Sequence, residues 1–159
     1  LHPSCVRVYP AVVLAGTGLA EMYARGEYTP LAIEEAVETA SDITGTIEEA
    51  GIPVIRIGLH PLSPEHVSSV MAGPYHPAMG FLVRARMKRR ILDSVLAEFE
   101  SAHDVAGKNI LVMIPFSKKE EYTGMAKGNL LYLKEKYMLK NIRLYASEGC
   151  MMPECSMER

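Results

Sequence analysis

Residues 10–23 read PAVVLAGTGLAEMY. An apolar run ends in Gly16-Thr17-Gly18 and passes into a helical pattern. The stretch is therefore either the strand and phosphate loop of a dinucleotide-binding domain or a tight strand-to-helix turn of another α/β fold. The dinucleotide fingerprint G-x-G-x-x-G needs a small third residue, so that backbone can approach pyrophosphate and the helix can pack closely. Glu21 stands at that place. Its carboxylate would repel phosphate at the helix start that should attract it. The acidic residue expected after the second strand is also missing. The glycines belong to a turn, and function has to be sought elsewhere.

The segment CVRVYPAVVLAGT (5–17) is rich in Val and broken by Pro10, which predicts one bent strand from Val6 to Ala15. GLAEMYARGEY forms a short helix ending at Gly26. After Pro30 a longer helix follows, with Ile33, Val37, Ala40, Ile43 or Thr44, Ile47 and Ala50 at three- and four-residue steps and Gly51 as its stop. IPVIRIGL (52–59) is a second buried strand. Strand, helices and strand make a βαβ unit, with parallel pairing and a right-handed crossover. A connector rich in Pro and Gly follows, with a turn or two of helix from Pro64. From Ala78 a long helix places Phe81, Leu82, Met87, Ile91, Val95, Leu96 and Phe99 on an apolar face. KNILVMIP (108–115), a helical stretch in KEEYTGMAKGNLLYLKEKY (119–137) and NIRLYAS (141–147) form a second, smaller βαβ unit.

The 159 residues, 48% apolar and 23% charged, suit one domain or slightly more. No apolar run approaches the ~18 residues of a membrane span. Three cysteines, Cys5, Cys150 and Cys155, are too few for a disulfide framework, so a reducing cytoplasm is the expected setting. Cys150 and Cys155 have no second ligand pair nearby and are read as thiols on a flexible tail. Charge is uneven: residues 1–79 hold 3 Lys/Arg against 9 Asp/Glu, and residues 80–145 hold 13 against 7. The second half is the one suited to an anionic partner.

VRVYPAVVLAGTGLAEMYARGEYTPLAIEEAVE (6–38) resembles the late-barrel segment of radical S-adenosylmethionine (SAM) enzymes related to the catalytic subunit of Elongator. Arg7, Tyr9, Pro10, Val13, Gly16, Thr17, Leu19, Gly26, Tyr28 and Pro30 match that pattern, and Ala11 departs from a common Thr. VIRIGLHP (54–61) and AGPYHPAMGFLVRARM (72–87) are similar to the C-terminal extension of the smaller bacterial and archaeal members. The resemblance implies an α/β fold: a partial parallel βα barrel over residues 1–62, a connector over 63–77, a basic α/β extension over 78–146 and a flexible tail over 147–159. It also implies SAM and a 4Fe–4S cluster in the parent enzyme, with tRNA modification in its best-understood branch. The cluster requires thiolates from one loop, which Cys5, Cys150 and Cys155 cannot supply. The chain is thus expected to be the last part of such an enzyme, inactive alone, lacking the preceding barrel portion and prone to self-association.

In a βα barrel the site lies at the C-terminal ends of the strands. On that basis Arg7, Tyr9, Thr17, Arg56 and His60 are the expected cofactor- or substrate-facing residues. Tyr75 and His76, pinned by Gly73, Pro74 and Pro77, are expected to dock the extension. Arg84, Lys88, Arg89, Lys118, Lys119 and Lys127 form the expected nucleic-acid surface, with tRNA as its partner. A KH-type RNA binder has a G-x-x-G loop before a helix; here Gly124 and Gly128 are one residue further apart, and Asn129 is placed to cap the helix. Two alternatives stay open: a non-catalytic nucleic-acid-binding module, and a portion of an oxygen-independent coproporphyrinogen oxidase-like radical SAM enzyme.

Overall fold

The computed structural model describes residues 3–158. They divide into two compact units, one ending at Val83 and the other beginning at Arg84.

In the first unit β1 (Val6–Val8) pairs in parallel with β3 (Val54–Ile57), with Val6 opposite Val54, Arg7 opposite Arg56 and Val8 opposite Ile57. The bonds Val6 N to Pro53 O (2.9 Å) and Gly58 N to Val8 O (2.8 Å) extend this ladder. The expected bent strand is two strands. Pro10 has no amide hydrogen and cannot continue a ladder, and β2 (Val13–Leu14) leaves β1 to pair antiparallel with β4 (Val70–Ala72) from the connector. Among the described residues, each pair stands as a two-stranded sheet.

Gly16 takes φ +75°, a conformation that favours glycine. Thr17 caps α1 (Gly18–Ala24): its hydroxyl accepts from Ala20 N at 3.2 Å and donates to Leu14 O at 2.7 Å. Between β2 and β3 lies also α2 (Ile33–Glu49), where the Glu35 carboxylate accepts from Ala32 N at 2.8 Å. Ala36, Val37, Ala40, Ser41 and Thr44 are its buried residues, whereas Ile33 and Ile43 are exposed. The buried stripe is one of small side chains, which lets the helix approach closely. The connector holds α3 (Pro64–Val67), capped by Ser63.

The long helix α4 (Met79–Ala102) begins in the first unit. Gly58 at φ +77° passes so near that a Cβ on it would stand 2.5 Å from Met79 Cβ. In the second unit β5 (Asn109–Pro115) and β6 (Asn141–Ser147) are parallel and in register throughout, as a βαβ unit requires. α5 (Lys119–Thr123) and α6 (Gly128–Lys136) connect them. β5 buries alternate residues, Ile110, Val112 and Ile114, which join Leu92, Leu96, Leu133 and Tyr137 in one core. Where a flexible tail is expected, β7 (Glu154–Met157) pairs antiparallel with the other edge of β5, giving the order β6-β5-β7. Cys155 falls opposite Val112 and packs on the core, a placement that composition alone does not signal.

No helix among the described residues is long and apolar enough to cross a membrane.

Candidate functional site

The register of β1 and β3 sets Arg7 beside Arg56 on neighbouring strands. Arg56 Nη1 stands 3.0 Å from His60 Nδ1. A guanidinium can only donate, so in this contact Nδ1 accepts and the ring's hydrogen sits on Nε2. Tyr9 follows β1 directly and is half exposed. These four residues lie on β1, β3 and the segments leaving their C-terminal ends. Thr17 does not follow a strand of that sheet: it lies three residues past β2, which pairs with β4, and its hydroxyl is occupied in capping α1. The chain's break at Pro10 is the physical reason. Tyr75 and His76 have local bonds, the Tyr75 hydroxyl accepting from Leu62 N at 2.9 Å and His76 Nδ1 accepting from Ala78 N at 3.0 Å.

The basic residues of the second unit fall into separate groups. Lys88 and Lys118 line a cavity of about 480 Å³ just beyond the C-terminal ends of β5 and β6, together with Phe116, Tyr122, Glu148 and Cys150. Lys88 Nζ lies 5.4 Å from the centre of the Tyr122 ring, and Lys118 Nζ 3.3 Å from Glu121 Oε1. Burial, with the nearby Cys150 and Glu121, pushes the Tyr122 hydroxyl above its ordinary value. Arg89 stacks 4.2 Å above the Tyr132 ring. Arg84 and Arg89 each take part in interactions within the fold.

Lys119 and Lys127 line a second cavity, of about 520 Å³, beside β6. Lys134 and Arg143 belong to the same cavity and were not singled out from the sequence. A signal was there for Lys134, which follows Lys127 by seven residues, two helical turns on the same face. Asn129 does not cap α6. Its buried amide donates instead to Ala85 O (2.9 Å), Glu121 O (3.0 Å) and Tyr122 O (3.2 Å), tying α4, α5 and α6 together. The extra residue in the glycine loop is absorbed by Ala126 and Lys127, both at positive φ (48° and 63°).

Lys136, Asp93 and Tyr137 make a further polar cluster. Lys136 Nζ is 2.6 Å from Asp93 Oδ2, and the Tyr137 hydroxyl 2.8 Å from Asp93 Oδ1. Burial, and then the Asp93 carboxylate, push the Tyr137 hydroxyl up to about 12. Burial pushes the Cys155 thiol up to about 11, so it is protonated at neutral pH and poorly nucleophilic.

A family model described as the Radical_SAM C-terminal domain matches residues 3–89, more than half of the chain. The chain belongs to this family. The matched residues carry both strand pairs of the first unit and the beginning of α4. Two curated relatives are tRNA uridine(34) acetyltransferases, from Methanocaldococcus jannaschii (51% identical over 39 residues) and Methanocaldococcus infernus (49% over 39 residues). In each case the alignment covers 24% of this chain and 7% of the relative, so the likeness concerns a small part of those proteins. No solved structure matches.

The family name implies SAM and a 4Fe–4S cluster in the parent enzyme. Among the described residues, no three His, Cys, Asp or Glu gather to hold a metal ion. Cys5 is exposed before β1, and Cys150 Sγ donates to Met152 O at 2.9 Å. With Cys155 committed to β7, the cysteines do not fit a cluster.

Proposed function

We propose that these residues are the C-terminal portion of a radical SAM enzyme that modifies tRNA. In this reading β1 and β3 are neighbouring late strands of a βα barrel whose other strands and cluster ligands come from the rest of the enzyme. The parallel pairing of β1 with β3, inside the segment that matches the family, is the observation that carries it. The relatives' names, which specify tRNA uridine(34) as substrate, support the choice of RNA. When bound in the parent enzyme, SAM and the cluster would supply the radical. Arg7, Tyr9, Arg56 and His60 would form part of the cavity wall: the two guanidiniums attract anionic groups, and His60 Nε2 offers one hydrogen-bond donor. The second unit, with Arg84, Lys88, Arg89, Lys118, Lys119 and Lys127, would approach phosphates. A stand-alone nucleic-acid module would account for the basic unit but not for the match over residues 3–89.

A filter-binding titration with tRNA tests the RNA part. Retention at 50 mM salt should fall steeply by 200 mM, by about a thousandfold if some six phosphates are contacted. No retention even at low salt would remove RNA from the reading. The barrel part predicts self-association of the isolated chain, because Ile55, Tyr9, Ile43 and Ile33 are exposed on the first unit and, among the described residues, each of its sheets has two strands. In sedimentation velocity the weight-average mass should rise with concentration, and Ile55→Asp should reduce the rise. A concentration-independent monomer would count against an incomplete barrel.

A further inference from the structure

The cavity beside β6 has a character that the general reading of a basic surface does not capture. Lys119 at the start of α5, Lys127 at the start of α6 and Lys134 two turns later converge on it from three places. Arg143 in the same lining is neutralised by Glu158, its Nη1 standing 2.9 Å from Oε1. The three lysines have no ion pair among the described residues, and the lining contains no carboxylate. Between the cations lies an apolar floor of Leu130, Leu131 and Leu144, with Leu131 62% exposed. One wall is β6, which among the described residues is an edge strand with no strand paired to its outer side, so that backbone donors and acceptors face outward there.

We propose that this groove binds a single-stranded segment of RNA, with Lys119, Lys127 and Lys134 on successive phosphates and unstacked bases on the leucine floor. The inference rests on the reading of RNA as the enzyme's substrate and goes beyond it by naming the groove and the form of the strand. Charge complementarity selects a polyanion. The floor selects a single strand, because a duplex buries the base faces that an apolar surface could cover. The edge of β6 offers backbone groups to base edges, as recognition of unpaired bases requires. At about 520 Å³ the space suits one or two nucleotides rather than a helix. The glycine-bracketed loop contributes to this shape. A Cβ at Gly124 would come within 2.9 Å of Asn129 N, so only glycine lets the loop fold tightly enough to bring Lys127 to the head of α6.

Fluorescence anisotropy of a labelled oligouridylate, about eight nucleotides long, tests the proposal with the full 159-residue chain, alongside unmodified tRNA. The double variant Lys119→Ala/Lys134→Ala should weaken oligouridylate binding by about tenfold or more and flatten the slope of log affinity against log salt by about 1.4, the share of two single-strand phosphates. Arg25→Glu on α1 changes net charge by the same amount and should leave affinity within about twofold. Unchanged far-UV circular dichroism establishes that both variants fold. Unaltered oligouridylate affinity in the double variant, with tRNA still bound, overturns the groove and leaves the RNA reading standing. Failure of the wild-type chain to bind either nucleic acid at 50 mM salt overturns both. Tighter binding of a poly-glutamate peptide than of the oligouridylate overturns RNA as the occupant.

Discussion

Asn129→Asp should destabilise the second unit by about 3–5 kcal/mol at neutral pH, the cost of leaving a buried charge without its partner. The Asn129 amide is the shared donor for three carbonyls, Ala85 O, Glu121 O and Tyr122 O, and it is buried. A carboxylate there would offer only acceptors to acceptors. Asn129→Ala, which leaves the carbonyls unpaired but adds no charge, should cost less, about 2–4 kcal/mol. The sign of the pH dependence separates the two. Burial among carbonyls raises the new carboxyl's folded-state pKa above its unfolded value near 4. Its neutral form can donate a hydrogen bond, so part of the lost stability should be recovered as pH falls towards about 4 and be lost again as pH rises. Urea unfolding at several pH values reads both effects. Equal, pH-independent losses for the two variants would show that the three-carbonyl bond set is not what holds α4, α5 and α6.

Gly58→Ala should be of similar size in the first unit, about 2–5 kcal/mol, as the sum of two separable costs. A left-handed conformation costs a non-glycine residue about 1–2 kcal/mol, and overpacking costs about 1–3 kcal/mol. Gly58 incurs both, with φ +77° and Met79 Cβ at 2.5 Å from where its Cβ would be. Gly51 supplies the comparison: its φ is +75°, but nothing lies within 4 Å of an added Cβ. Gly51→Ala should therefore show the conformational cost alone. The difference between the variants, read by hydrogen exchange of β3 amides, isolates the contact between the end of β3 and the start of α4. Equal losses would mean that this approach is not tight. Because His60 lies two residues on, Gly58→Ala should also disturb the Arg56–His60 bond.

Much of this was legible from local pattern. The parallel partnership of β1 and β3 followed from strand, helices and strand with glycine punctuation, and so did that of β5 and β6. Alternation along NILVMIP gave the core face of β5. What failed depended on partners distant in sequence. Nothing near Val13 announces that it pairs with Ala72, so the sequence alone reads β2 as a continuation of β1 and groups Thr17 with Arg7 and Tyr9. Of the helical stripe expected in α2, Val37, Ala40 and Thr44 are buried, whereas Ile33 and Ile43 fit it by spacing and are exposed, and Ala36 and Ser41 complete the buried face instead. β7 is hidden in the sequence because its strand pattern is short and follows a Cys-Met-Met-Pro stretch that resembles a tail. Of the sites, the lysines were visible as residue types, but their sorting was not. Glu121 and Tyr122 engage Lys118 and Lys88, while Lys119, Lys127 and Lys134 face a groove without acids.

The most direct measurement is made on the product of the whole reading frame that encodes these residues, purified without oxygen and reconstituted with iron and sulfide. With SAM and a strong reductant it should form 5′-deoxyadenosine, and the region preceding β1 should contain three closely spaced cysteines within about 250 residues, the usual length of a βα barrel. A reading frame with no such cysteines, whose product forms no 5′-deoxyadenosine, would contradict the assignment of β1 and β3 to a radical SAM barrel.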